Sequence, residues 1–346
     1  MSTDIHKEQN WLIIISLGIL ALLATGFILV YASSVLIPFV LAIFIYLLIS
    51  PILDFQILKL KIPRMIGVTV TLLLVMVFLA ILILLISEAV QLIYTTASEY
   101  RDGFVNLAEM VLTKMKEMGL DIEVPEIRND LKARIPKFAA DTFGTTMAVT
   151  STIIFVSIFL IFLLAGRNPH TIRTGVYGTI DSKIRRYISM KTILSLITGF
   201  SVWVVLQLFG LKLAVVFGML TFILNYIPSI GSIIATCLPI PIAVAQFSSP
   251  MMVSLVVIIP GAIQITIGNF IEPKLMGQEL KLHPVVILLA LSFWGLLWGV
   301  IGMILAVPIT AAIRIVLMQF ETLRPVARIL AGKLPGYPEE SSDSEE

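Results

Sequence analysis

The sequence predicts an all-α, polytopic membrane protein of about eight transmembrane helices, some interrupted or re-entrant, with a helical rod outside the membrane. Three observations carry this expectation. Hydrophobic residues make up 58% of the 346 residues, where soluble domains hold roughly 45–50%. Charged residues make up 13%, about half the usual share. Apolar runs of about 20 residues, the length that crosses a bilayer, recur along the chain. A mean hydropathy of +1.02 places the surplus apolar surface against lipid.

The first run, Trp11–Tyr31, is 21 residues long. A signal-peptide apolar region is roughly 7–15 residues, so this run is expected to stay in the membrane. Val35–Leu53 follows after Ala32, Ser33 and Ser34, and the pair reads as a tight helical hairpin. Pro38 and Pro51 sit near the second helix's ends, where a missing N–H matters least. Lys59, Lys61 and Arg64 form a short basic loop before the third span, Ile66–Ile86. Met147–Ala165 is the fourth span and Thr192–Phe209 the fifth. Between them lie Arg167, Arg173, Lys183, Arg185, Arg186 and Lys191.

Lys and Arg in short loops mark the cytoplasmic side. Both basic loops then face the cytoplasm of a bacterial inner membrane. So do the N-terminus and the C-terminal Arg314, Arg324, Arg328 and Lys333. Glu88–Asp141, with ten acidic and seven basic residues, is extracytoplasmic. In it Val90, Ala97, Phe104, Val111 and Met118 recur every seven residues, beside Ile93, Tyr100 and Leu107. This heptad-like stripe predicts a rod. It packs either on a second helix near Arg128–Phe143 or on a neighbouring subunit. The expected divisions are N-terminal membrane helices 1–87, insertion 88–145, fourth span and basic loop 146–191, transport half 192–320 and tail 321–346.

The C-terminal half holds two overlong uncharged runs. Leu213–Gln246 is 34 residues, long for one span and short for two. Its middle carries Asn225, Pro228, Ser229 and Gly231. Pro284–Ile313 carries Gly295, Gly299 and Gly302. Each run is either a hairpin of two half-helices or one tilted, kinked helix. Paired interrupted segments point to a transporter site.

Chemistry-bearing residues are few. There is no phosphate-binding loop, so ATP-driven pumping by this chain is not expected. His6, His170 and His283 are far apart, and no cofactor or metal site is expected. His283, before Pro284, reads as a cap. The single Cys237 reads as a packing residue. A net charge of +2 gives no nucleic-acid footprint. Glu272 abuts a span carrying Gln264, Thr266 and Asn269, and Pro273 follows it. It is either a proton or cation carrier, or an interfacial carboxylate paired with Lys274 or an arginine.

Three stretches carry a resemblance. They are Asn225-Tyr226-Ile227-Pro228 with Ile230-Gly231-Ser232 and Pro239; Gly268-Asn269 with Glu272-Pro273-Lys274 and Met276-Gly277; and Phe293-Trp294-Gly295 with Gly299, Gly302-Met303 and Leu305-Ala306-Val307-Pro308-Ile309-Thr310. In this order they resemble the signatures of the autoinducer-2 exporter family (PerM-type transporters), along nearly the whole chain. The Phe-Trp-Gly form is most similar to the branch that includes the autoinducer-2 exporter itself, with Val300 where that branch often has Pro. The resemblance implies a homo-oligomeric secondary transporter, a pentamer, working by an elevator-like motion in the lipid membrane.

The expected function is export of a small polar solute, with the quorum-sensing signal autoinducer-2 as candidate. Asn225, Ser229, Gln264, Asn269 and Trp294 are the expected solute-binding residues, and Glu272 the expected ion or proton coupler. Pro228, Gly231, Pro273, Gly295, Gly299 and Gly302 are the expected breaks or hinges. The rivals are a sodium(lithium)/proton antiporter and a non-transporting membrane scaffold. An enzyme is not expected.

Overall fold

The computed structural model describes residues 16–77 except 19 and 22, residues 80 and 84, and residues 151–167, 175–247, 249–276, 280 and 282–333. The rod expected at 88–145 lies outside these residues, as do His6 and His170. Every regular element among the described residues is helical. They are α1 (Ser16–Tyr31), α2 (Ser33–Asp54), α3 (Arg64–Val77), α4 (Ser151–Ala165) and α5 (Gly175–Leu208). Next come α6 (Ala214–Leu224), α7 (Ile230–Cys237), α8 (Ile240–Gln246), α9 (Pro250–Ile265) and α10 (Glu272–Met276). The chain ends in α11 (Pro284–Leu317) and α12 (Arg324–Leu330). Wide-turned π segments extend α2 over Phe55–Lys59 and join α9 to α10 over Thr266–Ile271.

The α1–α2 junction differs from the expected hairpin. Only Ala32 separates the helices, with φ −89° and ψ 9°. Its N–H donates to Ile28 O at 2.9 Å, and Leu36 N–H donates to Ala32 O at 2.8 Å. Helical bonding resumes at once, so the chain bends there. A reversal takes roughly 2–5 loop residues.

α5 is longer than the span expected from Thr192. Its 34 residues run about 51 Å at 1.5 Å per residue, beyond the bilayer core. The charges read as a loop, Lys183 to Lys191, therefore lie on its first turns. Hydropathy marks where lipid ends, not where a helix ends.

A buried ion cluster binds the N-terminal helices to α5. Arg167, just after α4, donates from Nε to Asp54 Oδ1 at 2.8 Å and from Nη2 to Oδ2 at 2.6 Å. Its Nη1 donates to Tyr46 Oη at 2.7 Å. Arg185 of α5 approaches Asp54 at 3.6 Å. Arg64 donates to Ala165 O. A planar guanidinium matches a carboxylate bidentately, and that fixes position as well as charge. The cluster gathers the end of α2, the start of α3, the end of α4 and the first turns of α5. Both basic loops thus lie at one end of the bundle. Tyr46, Leu47, Leu53, Val75, Leu160, Leu164, Ile184 and Ile188 form the apolar core next to it.

α9 runs antiparallel to α5. Its Val256 packs with Val202 and Leu206 near the C-terminal end of α5. Ile267 and Met276 pack with Leu194 further back, towards the basic end.

The topology is testable by labelling in intact cells, on a Cys237→Ser background. Cysteines at Lys59 and Lys183 should both be shielded from an impermeant maleimide, and one at Lys212 should react. Reaction at only one of the first two would contradict their shared end.

Two opposed hairpins and a buried ion pair

The first overlong run is a re-entrant hairpin. At its root Gln246 Nε2 donates to Gly210 O at 2.7 Å, and Lys212 N–H donates to Gln246 Oε1 at 2.8 Å. Chain that leaves the C-terminal end of α5 returns to it. The helix breaks at Asn225–Ser229, between α6 and α7. Ser229 holds φ +61°, a strained value for a residue with a Cβ. A Cβ on Gly231 would fall 1.8 Å from Leu224 O, so only glycine lets α7 pack this closely on α6.

The second run is also a hairpin. Four helices are long and apolar enough to cross a membrane among the described residues: Ser33–Lys59, Gly175–Leu208, Pro250–Met276 and Pro284–Leu317. The fourth folds back on itself at Gly299, with φ 63° and ψ −144°. Trp294 Nε1 donates to Thr310 Oγ1 at 3.3 Å. In a straight helix residues so spaced would be about 24 Å apart. A Cβ on Gly302 would meet Trp294 O at 1.9 Å. The hairpin's root is closed by α12, where His283 N–H donates to Leu330 O at 3.1 Å. His283 caps α11 as expected, its Nδ1 accepting from Val285 N–H.

The hairpins enter from opposite ends. The first roots at the C-terminal end of α5, and the second follows α10 at the basic end. Each comes after a long helix, and those helices are antiparallel. This is the plan of an inverted repeat. The tips pass each other: Ile227 of the first packs on Ala290, Leu291 and Trp294 of the second. Trp298 Nε1 donates to Leu29 O at 2.9 Å, next to the α1–α2 bend.

The first tip docks on a polar stripe of α5. Asn225 Nδ2 donates to Ser195 Oγ at 3.1 Å, and Tyr226 Oη donates to Thr192 Oγ1 at 2.7 Å. Lys191 is one residue before Thr192 and almost fully buried. Its Nζ bonds Glu272 Oε1 at 2.5 Å. Tyr187, one turn earlier on α5, lies within electrostatic reach of Glu272 and Tyr226.

The expected site residues divide here. Asn225 and Glu272 share this region. Gln264 is buried on α9, its Nε2 without a hydrogen-bond partner. Asn269 is exposed, so it does not converge with Gln264. The π turn changes the facing of the residues beyond Ile265, which α-helical spacing does not anticipate. Trp294 is packed between the limbs of its own hairpin, with Thr310 and Trp298 as neighbours. Ser229 is exposed at the tip. Pro273 lies within α10, and the irregular backbone precedes it at Thr266–Ile271. Gly299 is the break, while Gly295 and Gly302 sit where the limbs approach. Glu272 pairs with Lys191 instead of Lys274 or an arginine. Sequence reasoning missed Lys191, which is separated from Glu272 by 81 positions.

The profile of the AI-2E family transporter matches residues 17–321. This chain belongs to the AI-2E transporter family. It is 29% identical to the AI-2 transport protein TqsA of Escherichia coli K12, over 96% of this chain and 98% of that protein. A putative transport protein of Haemophilus influenzae is 29% identical over 83% of this chain and 87% of its own length. The putative transport protein YhhT of Escherichia coli K12 is 26% identical over 89% of this chain and 90% of its own. The AI-2E chain described here is a multi-pass membrane protein of a transporter family, and the tips of its two hairpins are its candidate site.

If the Asn225–Ser195 bond holds the first tip on α5, a double-mutant cycle on Asn225→Ala and Ser195→Ala should show it. Unfolding of the purified protein should give a coupling of about 0.6–1.7 kcal/mol, the range for hydrogen bonds between membrane helices. A coupling near zero would mean the tip is held by packing alone.

Proposed function

We propose that this protein is a secondary transporter exporting a small polar solute, for which the name of its relative TqsA suggests autoinducer-2. The single observation that carries the reading is the pair of opposed re-entrant hairpins whose tips overlap inside the fold. Irregular backbone persists at membrane depth only when protein or a water-lined cavity covers it. In secondary transporters such broken helices form the solute site. Buried Asn225 and Gln264 offer amides, and Thr192, Ser195 and Tyr226 offer hydroxyls.

In this reading α2, α3 and α4 are the scaffold, and the two hairpins with α9 move against it. The seam includes Tyr226, whose ring meets Phe44 of α2 edge-on at 5.9 Å. The motion is elevator-like and the protein is a homo-oligomer in the inner membrane. A sodium(lithium)/proton antiporter remains the second reading, because Glu272 is held in a buried ion pair.

Sealed proteoliposomes loaded with autoinducer-2 and a pH dye test both. Saturable solute efflux is expected. On a Cys237→Ser background, a disulfide between Phe44→Cys and Tyr226→Cys should stop efflux, and reduction should restore it. Efflux undiminished by the cross-link would rule out sliding at this seam. Sodium-driven proton movement without solute flux would replace export by antiport.

A further inference from the structure

We propose that Lys191 is an anion-binding position of the transport site: it exchanges Glu272 for a small solute bearing a carboxylate, while Glu272 takes up a proton. The inference rests on the transport reading above and adds the charge of the solute.

The two partners of the ion pair are unequally buried. The Lys191 side chain is 3% exposed and that of Glu272 20%. Breaking a buried pair leaves an uncompensated charge, which is strongly unfavourable. A cation entering at Glu272 would displace the ammonium and strand it where water does not reach. An anion entering at Lys191 displaces the carboxylate, which lies nearer water and can be neutralised by a proton. The asymmetry favours exchange on the lysine.

The surroundings suit an anion with further polar groups. An ammonium has three donors, and Glu272 Oε1 accepts one. Thr192 and Ser195 follow Lys191 on α5, and bring with them the hydroxyl of Tyr226 and the amide of Asn225. These belong to the broken tip, beside the strained Ser229. Opening of the pair is therefore placed next to backbone able to rearrange.

The exchange balances. A paired carboxylate and ammonium, one proton and one solute anion become a neutral Glu272 carboxylic acid and an ammonium paired with the anion. No net charge is added, so proton and anion move together. Among the described residues, Lys191 and Tyr187 face Glu272 from α5, Tyr226 stands behind Tyr187 at the tip, and Lys274 shares the α10 helix.

Pyruvate, which stays ionised through the range tested, is the probe. Its binding to the purified full-length protein is measured by calorimetry at about pH 5.5 and about pH 8, one coupled proton changing affinity by up to about tenfold per pH unit. The wild type should bind more tightly at the lower pH and take up one proton per anion. Glu272→Gln should bind at both, with the pH dependence gone. The neutral pair Lys191→Gln with Glu272→Gln should bind at neither, and its unchanged melting temperature would show that it is folded. The proposal is overturned if pyruvate fails to bind the wild type and Glu272→Gln, or binds the double variant equally well. Sodium binding that competes with protons and disappears in Glu272→Gln also overturns it, in favour of a cation at the glutamate. Autoinducer-2 efflux that stays sensitive to the cross-link, without pyruvate binding, would sink this inference alone. Absence of any flux would sink the transport reading with it.

Discussion

Inside a bilayer every backbone N–H and C=O must find its partner within the protein, and this structure is organised around two places where a helix fails to provide it. At Asn225–Ser229 and at Gly299 the regular ladder stops. Each break is folded into a hairpin, so that the freed groups face protein. Hairpins need close limbs, and close limbs need glycine: Gly231 under Leu224 O and Gly302 under Trp294 O are the same solution used twice. The tips then need walls. α5 supplies one for the first tip through Thr192 and Ser195. The Leu29 carbonyl of α1 supplies a partner for Trp298 near the second.

α5 links the two halves of the described structure. Its first turns carry Arg185, beside Asp54 and Arg167, and pack Ile184 and Ile188 into the N-terminal core. Its last turns carry Val202 and Leu206 into the core of the first hairpin. Between them Gly199 meets Gly218 of α6, where a Cβ would lie 2.7 Å from the Gly218 carbonyl. Backbones that approach this closely resist sliding. The first hairpin therefore follows α5, and relative motion is confined to surfaces such as the Phe44–Tyr226 contact.

Membrane character and the two broken runs were legible in the sequence because lipid and backbone chemistry write local signals. A long uncharged stretch needs lipid or protein around it, and Pro228, or Gly295, Gly299 and Gly302, mark where its helix can stop. The way each hairpin closes was not legible, since Gln246 and Gly210 meet only after the chain has turned back. Neither was the partner of Glu272: nothing in Lys191's own neighbourhood distinguishes it from the other bases on α5. Asn269 misled because an α-helical wheel was applied across a π turn. The α1–α2 junction misled because Ser33 and Ser34 read equally well as a loop and as the first turn of a helix.

That π turn sets a condition on length. Thr266–Ile271 accommodates its extra residue by widening one turn, and Glu272 begins the helix immediately after it. Removing one residue there, whichever it was, would let the segment relax to ordinary α-helix. Everything beyond would rotate by about 100°, the angle per residue that 3.6 residues per turn implies. The carboxylate would swing away from Lys191, and the second hairpin would leave its root pointing elsewhere. Spacing in this stretch is thus under as tight a constraint as any side chain. A homologue that lacked one residue here would have to hold its buried lysine's charge in some other way.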